Sequence, residues 1–310
     1  MMVRRTMLAA GLLAIGSLAA GAVIGGRSSA WAQAMGTFPP TTTESTGERE
    51  LGAFVQAYPD RLIGPELRDG DWAVKLGSRW FAWAHGRILP EDQRSAWESY
   101  AAYRFYRYPV GALPPLPQLD AQSIARLQAI VKQSQARPPR RSEAFLESLL
   151  GAATLDQIRG NLVTVPLLGF PVQIHSVAAA ALRKVAAECA LLVKTDPEAA
   201  AFFAGIHEID GFNYREVAGT ATRSYHGYGL ALDLIPRSYG GKPVYWLWAM
   251  QAGESWWAIP YDRRWMVPLS VVTAFENNGF VWGGKWMFFD MMHFEYRPEL
   301  LSLAREGAAP

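Results

Sequence analysis

Asp233 stands inside an apolar run, Gly229-Leu-Ala-Leu-Asp-Leu-Ile235, whose alternation puts Leu230, Leu232 and Leu234 on one face of a strand and Ala231, Asp233 and Ile235 on the other. A carboxylate enclosed by such a strand is very costly unless it is paired or bound to a cation. Either a salt bridge or a metal ion satisfies it. The chain must therefore fold so that a positive partner reaches the middle of this strand.

Polar groups of metal-binding type concentrate in three segments of this apolar half: Ser224-Tyr-His226-Gly-Tyr-Gly229 leading into Asp233, Asp290-Met-Met-His293-Phe-Glu295, and Asn213-Tyr-Arg215. Two imidazoles and one carboxylate would supply the three protein ligands of a catalytic zinc site and leave the fourth position to water. Spacing alone leaves the salt bridge open. His85, His175 and His207 lack a matching ligand set and read as structural or exposed, and His207-Glu208 does not continue into H-E-x-x-H. Cys189 is the only cysteine, so there is no intramolecular disulfide. Its apolar flanks, Val185 to Val193, mark a buried thiol and not a nucleophile. Neither G-x-S-x-G nor a phosphate-binding loop occurs.

Half of the 310 residues are hydrophobic, enough for one large domain or two modest ones. A net charge of +2 gives no electrostatic case for nucleic-acid binding. Residues 1–34 read as an export signal, with Arg4 and Arg5 before the uncharged apolar run Met7 to Ile24 and small-x-small sites at Ala30-Trp31-Ala32 and Ala32-Gln33-Ala34. The run is also about long enough to span a bilayer, so an uncleaved N-terminal segment is the alternative and would be the chain's membrane contact. Either reading makes the remainder periplasmic or secreted.

Residues 36–118, which begin with a Thr- and Pro-rich linker over Gly36 to Gly47, are expected to form an accessory region. It holds a β-hairpin over Asp71 to Ala84 turning at Gly77-Ser78, a helix over Glu91 to Tyr106 and a Pro-rich end, Pro109 to Pro117. Helices are expected over Asp120 to Gln135, Ser142 to Leu150 and Ser176 to Val193, and another starting at Asp196-Pro197. One more spans Pro268 to Asn277 and stops at Gly279, with short strands at Phe280 to Trp282 and Met292 to Tyr296. The class is α+β. Five of twelve tryptophans, Trp246, Trp248, Trp256, Trp257 and Trp265, fall between the candidate ligands, where they would pack the core, stack on glycan or cover a peptide.

The pattern S-x-H-x-x-G-x-A-x-D followed by D-x-x-H-F-E is carried by Ser224, His226, Gly229, Ala231, Asp233, Asp290, His293, Phe294 and Glu295. It resembles the zinc D-alanyl-D-alanine carboxypeptidases, the related dipeptidases and the L-alanyl-D-glutamate endopeptidases, the VanY-like peptidoglycan peptidases. Gly-Phe-Val-Trp-Gly-Gly-Lys-Trp at 279–286 looks like the endopeptidase branch, and Gly169 to His175 and Gly211 to Arg215 extend the likeness over a zinc peptidase domain at 143–303. The resemblance implies a Hedgehog/DD-peptidase-type zinc fold, a small antiparallel sheet packed on helices. It implies Zn2+ on His226, Asp233 and His293, Asp290 as general base, and Arg215 as the cation steadying an oxyanion. The implied activity is hydrolysis of peptidoglycan stem peptides by a metal-activated water, at L-Ala-D-Glu or D-Ala-D-Ala type bonds. A non-hydrolytic zinc-containing cell-wall binding protein of the same fold is the alternative, and the presence of both Asp290 and Arg215 argues against it. Two departures stand out: the carboxypeptidase branch usually has Glu where this chain has Asp290, and the Trp-rich segment 245–265 is longer than the family pattern leads one to expect. Glu295 either orients His293 or makes a surface salt bridge. Ser224 is either a turn residue or a partner near the site.

Overall fold

The computed structural model describes residues 47–103, 105–133, 141–215 and 222–306. The export segment 1–34 lies outside the described residues. Among those described, no helix is long and apolar enough to cross a membrane.

Helix α1 (Glu48–Ala57) leads into an antiparallel meander of β1 (Leu62–Arg68), β2 (Asp71–Leu76), β3 (Arg79–Ala84) and β4 (Arg87–Pro90). Leu76 pairs with Arg79 across the two-residue turn, where Gly77 takes φ +61° at no steric cost. The hairpin read from the sequence is thus the middle of a four-stranded sheet. The helix expected over Glu91 to Tyr106 differs more. A 3-10 segment runs from Glu91 to Ser99 with a kink at Ala96, and the chain leaves it extended at Tyr100, with no helix over 101–103 or 105–110. None of the 91–99 side chains is buried, so there is no apolar stripe to hold a longer helix. Tyr103 and Tyr108, by contrast, are buried against the rest of the molecule.

Helices α2 (Ala121–Gln133), α3 (Ala144–Leu150) and α4 (Leu155–Gly160) follow. Gly151 closes α3 in the left-handed conformation, and a Thr154–Gln157 capping box opens α4. Strands β5 (Leu162–Leu167) and β6 (Phe170–His175) form a hairpin that feeds α5 (Ser176–Thr195) and α6 (Pro197–Gly205). Asp196 caps α6, accepting from Glu198 N–H at 2.9 Å with Pro197 as the first helical residue. Next come β7 (Ile206–Asp210), β8 (Ala231–Pro236), α7 (Trp246–Gln251), α8 (Leu269–Asn277), β9 (Phe280–Trp282), β10 (His293–Tyr296) and α9 (Pro298–Glu306). The second sheet is antiparallel in the order β7-β8-β10-β9. The architecture is mixed helix and sheet with small antiparallel sheets.

Helices α5 and α8 pack on each other behind this sheet, and Phe275 of α8 stacks on Phe294 of β10 at 4.0 Å between centroids. Cys189 sits in that layer with its thiol pushed up to about 12 by burial, so it is an inert core group. Trp256 is buried against Trp246 and Phe288, whereas Trp248 keeps 43% of its surface.

The hydrophobic core does not stop at the Pro-rich stretch. Phe54 of α1 meets Phe145 of α3 edge-on at 5.0 Å, α1 packs against α9, and one buried cluster runs from Leu51 to Phe294. The compositional boundary near residue 118 is not a boundary in packing.

Candidate metal centre

The antiparallel register of β8 and β10 sets His293 directly opposite Asp233. Residues opposite each other across such a pair project to the same face, so the two side chains must meet. His226 comes from a 3-10 turn, His226–Tyr228, just before β8. Asp233 Oδ1 lies 2.9 Å from His293 Nδ1 and 3.3 Å from His226 Nε2, and the two ring nitrogens are 3.1 Å apart.

The outer nitrogens decide what the inner ones can do. Gly211 O can only accept, so His226 Nδ1 donates to it at 2.7 Å and Nε2 is left as a bare lone pair. A side chain at Gly211 would collide with Gln173 O, which is why a glycine brings that carbonyl so close. His293 Nε2 donates to Glu295 Oε1 at 3.2 Å, leaving Nδ1 bare. With both imidazoles neutral, two ring lone pairs and a carboxylate oxygen converge on one point. Zinc–nitrogen bonds of about 2.0–2.1 Å spread tetrahedrally would hold their donor atoms roughly 3.3–3.4 Å apart, close to the spacing seen. A proton on His293 would satisfy one of these lone pairs, whereas a divalent cation satisfies all three. The donor set fits zinc.

The charges around the cluster favour a positive group at this point, whether protons or a cation supply it. Burial opposes ionisation of Asp233, yet hydrogen bonds and charge from His226 and His293 hold its carboxyl well below the usual range. Burial likewise opposes a charged His293, but Asp233 and Glu295 hold it well above the ordinary imidazole value. This is a locus built to carry positive charge.

Asp290 precedes β10, with its N–H donating to Gly283 O at 3.1 Å. A Cβ on Gly283 would stand 2.6 Å from Asp290 O, so the turn closes only over a glycine. Asp290 Oδ1 is buried without a hydrogen-bond partner. Burial pushes its pKa up to about 7, against the pull of His293, His226 and Arg215. Arg215 is exposed, and its carbonyl accepts from Ser224 N–H at 3.0 Å. Ser224 Oγ accepts from His226 N–H at 3.3 Å, a turn role. Glu295 is no surface group, since it lies enclosed between His293 and Arg297. His175 is buried and structural, accepting from Val177 N–H at 3.2 Å to cap α5, while His85 and His207 are exposed.

Three neighbours carry no local signal in the sequence. Asp210 is the register partner of Asp233 on β7, with its pKa raised by burial. Tyr245 bridges Asp290, flanked by Trp246 N–H to Phe289 O at 2.9 Å and Met291 N–H to Val244 O at 2.8 Å. That makes it a non-hydrogen-bonded pair, the closer kind, with both side chains on one face. Trp286 lies against His293 at 5.6 Å between centroids. Only strand pairing or a turn could have exposed these.

Residues 218–296 match the family model described as D-alanyl-D-alanine carboxypeptidase. The match takes in all three convergent side chains and Asp290, and it bears out the resemblance carried by the two motifs. A second model, a domain of unknown function (DUF8518), matches residues 50–105, from α1 to the extended segment after the 3-10 turn. No curated protein and no solved structure matches the chain. The segment that matches the carboxypeptidase model thus holds the metal-type residues, and the N-terminal sheet matches a different model.

Proposed function

We propose that this chain is an exported zinc-dependent peptidase that hydrolyses peptidoglycan stem peptides, with a Hedgehog/DD-peptidase-type zinc fold and His226, Asp233 and His293 as the metal ligands. The observation that carries the reading is the convergence of His226 Nε2, His293 Nδ1 and Asp233 Oδ1 beside the unpartnered Asp290 Oδ1. The family match supports a peptidoglycan-acting peptidase.

Zinc bound there would polarise the scissile carbonyl and lower the pKa of water toward about 7. The remaining work belongs to the chain. Gly211 O and Glu295 lock both imidazoles in the tautomer that offers its lone pair inward. Asp290, whose Oδ1 is buried without a hydrogen-bond partner, accepts the proton of the attacking water and returns it to the leaving amine. Arg215, exposed and close enough for its charge to act on Asp290, would steady the anionic oxygen that develops on the substrate. The aspartate in the base position favours endopeptidase-type chemistry at L-Ala-D-Glu bonds over removal of a terminal D-Ala.

Incubation of the purified protein with muropeptides, followed by mass spectrometry, tests this. Cleavage that a chelator abolishes and zinc restores is the expected result. Stoichiometric zinc without any cleavage would show a binding protein of the same fold instead.

A further inference from the structure

The extended segment after the 3-10 turn carries three tyrosines, Tyr103, Tyr106 and Tyr108, and each reaches a different support of β10 and the turn before it. The Tyr106 hydroxyl accepts the Trp286 indole N–H at 2.9 Å, and Trp286 is the ring that lies against His293. The Tyr103 ring lies 5.6 Å from the Arg297 guanidinium, and Arg297 pairs with Glu295, the acceptor of His293 Nε2–H. Tyr225 covers the same guanidinium at 4.8 Å and shares a hydroxyl hydrogen bond of 3.0 Å with Tyr103. The Tyr108 hydroxyl accepts Trp282 N–H at 2.9 Å and donates to Glu276. Glu276 in turn pairs with buried Lys285 at 2.5 Å and accepts Gly111 N–H at 2.8 Å. Lys285 also donates to Pro109 O at 2.7 Å, so the strap and the turn at 283–285 are tied in both directions.

We infer that the N-terminal region acts as a structural part of the metal centre: Tyr103 and Tyr106 are positioning residues that hold His293 in its ligating orientation, and the Tyr108–Glu276–Lys285 clasp anchors the strap that presents them. The inference rests on the zinc reading above. It assigns a role to the region matched by the domain of unknown function, which ends at residue 105, and to the strap that follows directly. His293 would be steered from two directions, its ring face through Trp286 and its Nε2 edge through Glu295. A surface module for wall attachment would need none of these contacts, because buried bonds to the far side of a ligand contribute nothing to a remote binding face.

Tyr106→Phe deletes one acceptor and keeps the ring, Tyr103→Leu removes the ring over Arg297, and Tyr100→Phe is the control, since among the described residues the Tyr100 hydroxyl bonds only Gln93. Zinc affinity by chelator competition, the visible spectrum of the cobalt-loaded protein and the melting temperature of the metal-free protein are measured on the full chain. Losing a direct hydrogen-bond partner of a ligand costs about 10–100-fold in metal affinity, so about 3–10-fold is expected one contact farther out. Tyr106→Phe and Tyr103→Leu should weaken zinc by that factor and alter the cobalt spectrum, and Tyr100→Phe should do neither. Variants that melt earlier yet bind zinc and display cobalt bands like wild type overturn the positioning role and leave the zinc reading intact. Wild-type protein that binds no zinc overturns both.

Discussion

The molecule contains two four-stranded antiparallel sheets that place their charges in opposite ways. In the N-terminal sheet, Arg68, Arg79 and Arg94 meet Glu91, Asp92 and Asp71 at the solvent surface. In the β7-β8-β10-β9 sheet, Asp233, His293 and Glu295 turn inward and are enclosed. Surface pairs of the first kind contribute little and serve solubility. Enclosed groups of the second kind are tolerated only where they satisfy one another or a ligand. The contrast separates a supporting sheet from a chemical one, and four variants test it.

The largest effect is expected from His226→Ala combined with His293→Ala, which leaves a single carboxylate where three donors converged. Bound zinc and hydrolysis should both vanish, as elemental analysis of the metal-saturated protein and the muropeptide assay will report. Stoichiometric zinc in the double variant would sink the assignment of the ligands.

Asp290→Asn should keep zinc while turnover falls about a hundred- to ten-thousand-fold, because an amide of nearly the same shape cannot accept the proton. Turnover per bound zinc is the quantity to follow. Activity within a few-fold of wild type at equal zinc content would exclude Asp290 as the base.

Phe54→Ala lies in the N-terminal region, yet it should destabilise the whole chain by about 3–5 kcal/mol, the usual cost of emptying a buried phenylalanine site. Phe54 is 1% exposed and touches Tyr58, Tyr103, Phe105 and Phe145. A single, earlier denaturation transition is expected. Two separate transitions would show that the regions fold independently and would restore the boundary near residue 118.

The smallest effect belongs to Arg79→Ala, which removes an exposed partner of Asp92 at 3.5 Å. Stability should change by less than about 0.5 kcal/mol, within the range of ordinary surface substitutions. A loss above about 2 kcal/mol would mean that the surface pairs of the supporting sheet are not as dispensable as the contrast supposes.

By itself the sequence determined the features whose cause is local. Asp196-Pro197 opens a helix because a carboxylate and a proline suit its first turn, Gly77-Ser78 turns a hairpin, and Gly151 ends α3. It also determined that Asp233 needs a positive partner, since an apolar alternation around a carboxylate is readable without any fold. The motif spacing then pointed to His226 and His293, and the β8–β10 register brings His293 across from Asp233. Local reading failed over Glu91 to Tyr106, where Tyr103 and Tyr106 reach partners far along the chain, Tyr225 and Trp286, in place of a helical turn. Only the tertiary structure decided that Asp210 faces Asp233, that Tyr245 stands beside Asp290, and that α1 packs on α9. Periodicity reports which face of an element is apolar but not which distant element covers it, because that choice is made by the joint packing of the whole core.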